Sequence, residues 1–229
     1  MQNVSELWKT LRQTAGTEVE YRFFVNDVEY GADAEVSNNV EQKLFETFGI
    51  GNAFGATLKL ELYAPDIPKG TTVRRECRLV NGEQVSEWIP KGTFYIVSRS
   101  EEDGLWKIKA SDAMRKAEKV WEPFSEDDFP MTMSDAVAYA RSVMGETPDK
   151  SIELDERSVI PDRTVDYPAN DMTFRQLLEY VAAAGLGNFI ITDENKLRLV
   201  PLLSAPAPTS YLVDNYGNPI TFGGVRILV

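Results

Sequence analysis

Residues Phe48–Tyr63 read FGIGNAFGATLKLELY, and this stretch decides how the rest of the chain has to be arranged. Gly49, Gly51 and Gly55 carry no Cβ and Asn52 tolerates left-handed backbone, so the first half predicts a tight turn or bulge and not a helix. In the second half Ala56, Leu58, Leu60 and Leu62 alternate with Thr57, Lys59 and Glu61, which is the pattern of a strand with one buried face and one wet face. A strand of this kind needs a sheet. The glycines lack the spacing of a dinucleotide loop, and no Lys-Ser or Lys-Thr follows them, so a structural bend is the reading and phosphate binding is set aside.

The 229-residue chain, 25.7 kDa, is long enough for one large or two modest units and for burial of about 70% of its unfolded surface. Hydrophobic residues at 43% and charged residues at 26% are ordinary globular values, which points away from disorder and from a membrane span. No apolar run approaches the roughly 20 residues that cross a bilayer, and the opening MQNVSELWKTLRQTAG lacks the apolar core of a signal peptide. The single cysteine, Cys77, has no intramolecular disulfide partner and is expected to pack as a small hydrophobe in a reducing compartment. A net charge of −12 argues against grasping a nucleic-acid backbone, although it leaves open passage of DNA through an acidic channel.

The chain contains no histidine. That absence removes Ser-His-Asp and Cys-His hydrolases, His-ligated zinc and the commonest general base near neutral pH. Carboxylate chemistry survives, but the 36 Asp and Glu are scattered and no glycosidase pair stands out by spacing. No catalytic, cofactor-binding or metal-binding residue is therefore singled out, and no cofactor is expected.

Taken in order, Val4, Leu7, Trp8 and Leu11 predict a short amphipathic helix that ends at Gly16, with Asn3 and Glu6 as its capping box. Docking on its own domain and docking on a neighbouring subunit both remain open for this helix. Thr17–Val25 and Val28–Ala34 flank Asn26-Asp27 as a hairpin, and Lys43–Phe48 leads into the deciding stretch. Thr72–Val80 reads as a strand, Asn81-Gly82 as a turn and Gln84–Ile89 as the return. Pro90, Lys91 and Gly92 are expected to break that return before Thr93–Ser98 resumes, and Leu105–Ala110 closes a set of about seven short strands, the count of a sandwich or small barrel. Asp112–Val120 then reads as a helix, and Trp121–Pro130 (WEPFSEDDFP) as an acidic linker without the ligand pattern of a calcium loop.

Beyond the linker, Ser134 is expected to cap a helix running to Met144, with Ala136, Val137 and Ala140 on its buried stripe. Ile152–Leu154 and Val159-Ile160 are short apolar pieces. Thr173 with Gln176 forms a capping box, and Phe174, Leu177, Leu178 and Val181 form the stripe of a second helix ending near Gly185. Asn188–Thr192 and Lys196–Pro201 flank Asp193-Glu194-Asn195 as a hairpin. Leu202–Thr209 reads as a proline-stiffened linker, and Tyr211–Asp214 with Ile220–Val229 as a final hairpin. The fold class is thus α+β: an antiparallel barrel or sandwich with an N-terminal helix over residues 1–120, a small α+β unit over 131–201, and over 209–229 a hairpin that can begin a further β-domain.

Two weaker groupings deserve weighing. Tyr21, Phe23, Phe24, Tyr30, Trp88, Phe94, Tyr95 and Trp106 read either as core or as a stacking platform for sugars or bases. Arg74 and Arg78 fall on one face of a strand and Arg75 on the other, which suits an inter-subunit ion pair or a substrate contact.

The order of elements resembles the baseplate hub, or tail-tip, proteins of tailed bacteriophages and prophages. GIGNAFGATLKLEL is similar to that family's opening strand, WIPKGTFYIVS to its motif before a buried strand, and LWKIKASDAMRKAEK to its strand running into an Asp-led helix. MTFRQLLEYVAAAGLGNFIITDENKLRLVPL resembles its helix-plus-hairpin domain, and ITFGGVRILV the strand that re-enters another β-domain. The resemblance implies a non-enzymatic virion protein assembled in the host bacterial cytoplasm, forming a ring, expected as a homotrimer, that continues the tail tube. It further implies contacts with the distal tail protein, the tape-measure protein and other tail-tip proteins, without sequence-specific nucleic-acid binding or membrane insertion. A departure from the family is the end of the chain where a further β-domain should continue, which leaves a truncated chain, a split gene or a shorter hub. The competing expectations are a carboxylate-dependent cell-wall glycosidase and a carbohydrate-binding module relying on Trp88 or Trp106.

Overall fold

In the computed structural model the alternation of Ala56–Tyr63 becomes a strand whose Leu58, Leu60 and Leu62 are at most 1% exposed. The structure describes residues 4–42, 49–120, 129–145, 151–166 and 172–202, together with the backbone of 221–222 and 225–226. The expected lead-in Lys43–Phe48 lies outside them, as do Tyr167-Pro168, the hairpin arm Tyr211–Asp214, and all but the ends of the linkers Trp121–Pro130 and Leu202–Thr209. Among the described residues no helix is long and apolar enough to cross a membrane.

Helix α1 (Glu6–Gln13) is followed by β1 (Glu18–Val25), β2 (Val28–Tyr30), β3 (Glu35–Gln42), β4 (Asn52–Phe54), β5 (Ala56–Tyr63), β6 (Thr72–Asn81), β7 (Gln84–Val85), β8 (Ile89–Glu102) and β9 (Leu105–Ser111). All of these strands except β4 join one antiparallel sheet in the order β2-β1-β6-β8-β9-β5-β3, with β7 alongside β6. Asn26 and Asp27 both take positive φ, 52° and 62°, as the tight turn predicted between β1 and β2 requires.

Phe23 and Val25 of β1 share a core with Leu58, Leu60 and Leu62 of β5, although three strands separate them in the sheet. The sheet therefore rolls until its halves face each other. Its ends, β2 and β3, do not pair among the described residues, so the roll is sandwich-like and is not the closed barrel that was its alternative. Arg75 crosses the gap from β6, donating from Nε and Nη2 to Asn38 Oδ1 of β3 at 3.1 and 2.7 Å, with its guanidinium 4.1 Å from the Tyr21 ring centroid.

Several local expectations are corrected. Pro90-Lys91-Gly92 does not end a strand: β8 runs through it, and a register shift opposite Arg74 and Glu76 absorbs the irregularity, as bulges do. Strand β3 was not expected, because EVSNNVEQ carries no clean alternation. Asp112 does lead a helix, but one of 3-10 type over Ala113–Glu118. Ser5 caps α1, its Oγ accepting from Trp8 N at 3.1 Å, where Asn3, which lies outside the described residues, was expected to do so. Helix α1 packs on β6 of its own chain, with Leu11 fully buried and Ser5 N and Oγ both donating to Glu87 at 2.7 Å.

The remaining elements are β10 (Met131–Thr132), α2 (Met133–Met144), β11 (Glu153–Leu154), β12 (Thr164–Val165), α3 (Phe174–Ala184), β13 (Gly187–Ile191) and β14 (Lys196–Pro201), then the paired β15 (Thr221–Phe222) and β16 (Val225–Arg226). Thr132, two residues before Ser134, caps α2. The capping box of Thr173 and Gln176 forms as read, and Phe174, Leu177, Leu178 and Val181 line a second core with Phe189, Leu197 and Leu199. That core is completed from earlier in the chain. Strand β4 adds in parallel to β13, giving the order β11-β14-β13-β4, and Ala53, Ala113, Met114 and Ala117 pack within it.

Candidate assembly surface

On the outer face of β1 and β6 the register sets Glu20 opposite Arg78, Arg22 opposite Glu76 and Phe24 opposite Arg74. Directly opposed side chains on a sheet lie close enough to pair, and here they form one ladder. Arg22 donates from Nε and Nη2 to Glu76 Oε2 at 2.8 and 2.6 Å, and Arg78 Nε donates to Glu20 Oε2 at 2.7 Å. The Trp88 ring lies between two guanidiniums, Arg22 at 4.4 Å and Arg78 at 4.6 Å from its centroid, while Arg74 lies 4.2 Å from that of Phe24. Arg74 is held only loosely by an acid, with Nε 3.4 Å from Glu76 Oε1. Two of the three arginines read from the sequence thus share one outward face with aromatics, and Arg75 turns inward as the alternation demanded.

The predicted aromatic set divides. Phe23 and Phe94 are buried in the first core with Tyr21, Tyr30 and Trp106 packed against it, and Tyr95 packs on the second core. Trp106 Nε1 donates to the Ala64 carbonyl at 3.0 Å, so its polar edge is already used. No single stacking platform gathers these rings. An open groove of about 590 Å³ crosses the other outer face, lined by Ser37, Asn39, Lys59, Glu61, Lys107 and Lys109 among others. Lys59 is paired with Glu41 at 2.6 Å and Lys107 with Glu102 at 3.3 Å.

Two buried carboxylates serve the backbone. Asp112 is 3% exposed and accepts from Ala56 N at 2.6 Å and Met114 N at 3.0 Å, which ties the start of β5 to the 3-10 helix. Burial pushes its carboxyl up to about 7, against the downward pull of those two N–H groups and of Arg175. Asp155, also 3% exposed, accepts from Arg157 Nε at 2.7 Å and from Arg157 Nη2, and these bonds hold its carboxyl well below the usual range. Burial likewise pushes the Cys77 thiol up, in line with its expected packing role. The four acids of the linker, Glu122, Glu126, Asp127 and Asp128, lie outside the described residues. Sequence reading missed Arg22 and Glu76, which come opposite each other only once β1 and β6 are paired, Glu76 lying midway between Arg74 and Arg78 on the same face.

Between the two cores the contacts are specific. Lys91 of β8 pairs with Asp193 of the β13–β14 turn at 3.0 Å, and within the second unit Arg175 of α3 fixes β4 by donating to the Ala53 carbonyl at 2.9 Å. The two sheets therefore meet through β4 and through the Lys91–Asp193 pair. The fold is similar to that of a solved prophage tail protein. The 43 kDa tail protein of prophage MuSo2 from Shewanella oneidensis matches with a TM-score of 0.50 and 12% identity, over 85% of this chain and 59% of that one. A tail protein from Neisseria meningitidis MC58 matches at 0.47 and 13% identity, over 83% of this chain and 52% of that one. A prophage tail protein from Listeria monocytogenes EGD-e matches at 0.40 and 10% identity, over 92% and 70%. The chain spans 59% and 52% of the first two, and at 12% identity the likeness to the first is one of fold. No protein-family model and no curated protein matches the sequence.

Proposed function

We propose that the chain is a structural subunit of a phage or prophage tail, and within the tail a baseplate hub or tail-tip protein that assembles as a homotrimeric ring continuing the tail tube. The observation that carries this reading is the architecture: a rolled antiparallel sheet and a second α+β layer joined by one short parallel strand, β4, in the fold of the MuSo2 tail protein. The same reading gives it the distal tail protein, the tape-measure protein and neighbouring tail-tip proteins as partners, and the virion as its place. Its charged residues fit a scaffold, because the buried acids Asp112 and Asp155 are engaged in holding backbone and neighbouring side chains.

Electron microscopy of purified chain mixed with isolated tail tubes tests the proposal, with sizing by light scattering. Rings at one end of the tube and a mass three times that of the 25.7 kDa chain are expected. A chain that stays monomeric and leaves the tube ends bare overturns it.

A further inference from the structure

The hairpin between β6 and β7 turns on Asn81-Gly82, the one place in the chain where a glycine directly follows an asparagine. Asn81 closes β6 opposite Gln84, so Gly82 and Glu83 make the turn alone, with Gly82 at a φ of 58°. Both turn residues are exposed, and a Cβ on Gly82 would meet nothing within 4 Å. The Gly82 N–H donates no hydrogen bond among the described residues. The backbone nitrogen next to the Asn81 side chain is therefore unhindered and unoccupied.

That side chain has a structural task. Asn81 Nδ2 donates to the Ala15 carbonyl at 3.2 Å and to Thr17 Oγ1 at 3.1 Å, which ties the exit of α1 to the end of β6. Thr17 Oγ1 uses its own proton on the Leu11 carbonyl at 2.8 Å. Both partners of Nδ2 can thus only accept. Apart from this tie α1 is held by buried Leu11 and by the bonds from Ser5 to Glu87, and a helix of eight residues has little stability of its own.

We propose that Asn81 is a site of spontaneous deamidation whose products untie α1. The Gly82 nitrogen attacks Cγ of Asn81 and forms a bond to it as the Cγ–Nδ2 bond breaks. The proton lost by that nitrogen leaves with Nδ2 as ammonia. Water then opens the resulting succinimide at either carbonyl, giving aspartate or isoaspartate with no change of oxidation state. Aspartate puts a carboxylate where the amide donated, facing two oxygens with no hydrogen to offer it, so two hydrogen bonds become repulsive contacts. Isoaspartate takes the side-chain carbonyl into the backbone, which removes the same donor and lengthens the chain just where β6 and β7 are held in register.

Peptide mass spectrometry tests the site, on the full chain kept folded at mildly alkaline pH and sampled over time. Asn81 is expected to convert before any other asparagine. Gly82→Ala, checked for folding by far-UV circular dichroism, is expected to slow that conversion about tenfold or more, because the added methyl restricts the turn and misaligns the attack. Conversion that begins at another asparagine, or a G82A rate equal to that of wild type, overturns the site. Hydrogen exchange tests the consequence. In the aged chain and in Asn81→Asp the amides of Lys9–Gln13 are expected to exchange about tenfold faster than in fresh wild type, while those of β5 keep their protection. Unchanged protection of α1 in both overturns the untying.

Discussion

At Gly187 the backbone of β13 passes so near β14 that a Cβ would stand 2.5 Å from the Val200 carbonyl oxygen. Alanine there has to push a strand aside, and Gly187→Ala is expected to cost on the order of 2–3 kcal/mol in urea unfolding. Asp112 sets a different kind of constraint, because a group whose folded pKa is raised contributes stability that is present below its unfolded value and lost as pH rises through the folded one. With an ordinary carboxyl value of 3.8 and a folded value of about 7, the loss falls between roughly pH 4 and 7 and amounts to on the order of 4 kcal/mol. Asp112→Asn removes that titration, so the stability difference between variant and wild type should move in favour of the variant as pH rises from 4 to 8. Parallel pH profiles of the two unfolding free energies would expose a residue that stays ionised throughout.

Among the elements, the β1–β6 ladder depends on Glu76, whose side chain is 15% exposed and receives two bonds from Arg22. Glu76→Gln is expected to cost about 1–3 kcal/mol, since it weakens hydrogen bonds to a charged partner, and to change Trp88 fluorescence as Arg22 leaves its ring. Elements with strong local signals were legible beforehand: the alternation of β5, the Asn26-Asp27 turn and the Thr173–Gln176 capping box each predicted what formed. Those depending on distant partners were not. Strand β3 has Val36 half exposed and gains its place from pairing with β5, and β8 continues past Pro90 with Lys91 and Gly92 bulging opposite the single Arg75 of β6. The same limit hid the candidate surface, whose two arginines were visible while the Trp88 stack and Glu76 became apparent only with the strands in register.

In the whole molecule the second core is built from separated parts of the sequence, with Ala53, Ala113, Met114 and Ala117 packing against Phe189 and the face of α3. A fragment spanning residues 129–202 lacks β4 and the 3-10 helix, leaving one edge of β13 bare and an apolar face open. We expect it to aggregate or to bind a hydrophobic dye strongly, whereas the full chain unfolds in one transition; a soluble, cooperatively folding fragment would refute this dependence. Only Gly55 separates β4 from β5, and a Cβ on it would lie 3.0 Å from Asp112 Oδ1. With a single residue between strands of two different sheets, and a carboxylate clamped against it, neither sheet is free to swivel about the other. Torque or tension applied to one is handed directly to the other, so under mechanical load the chain would respond as a stiff block.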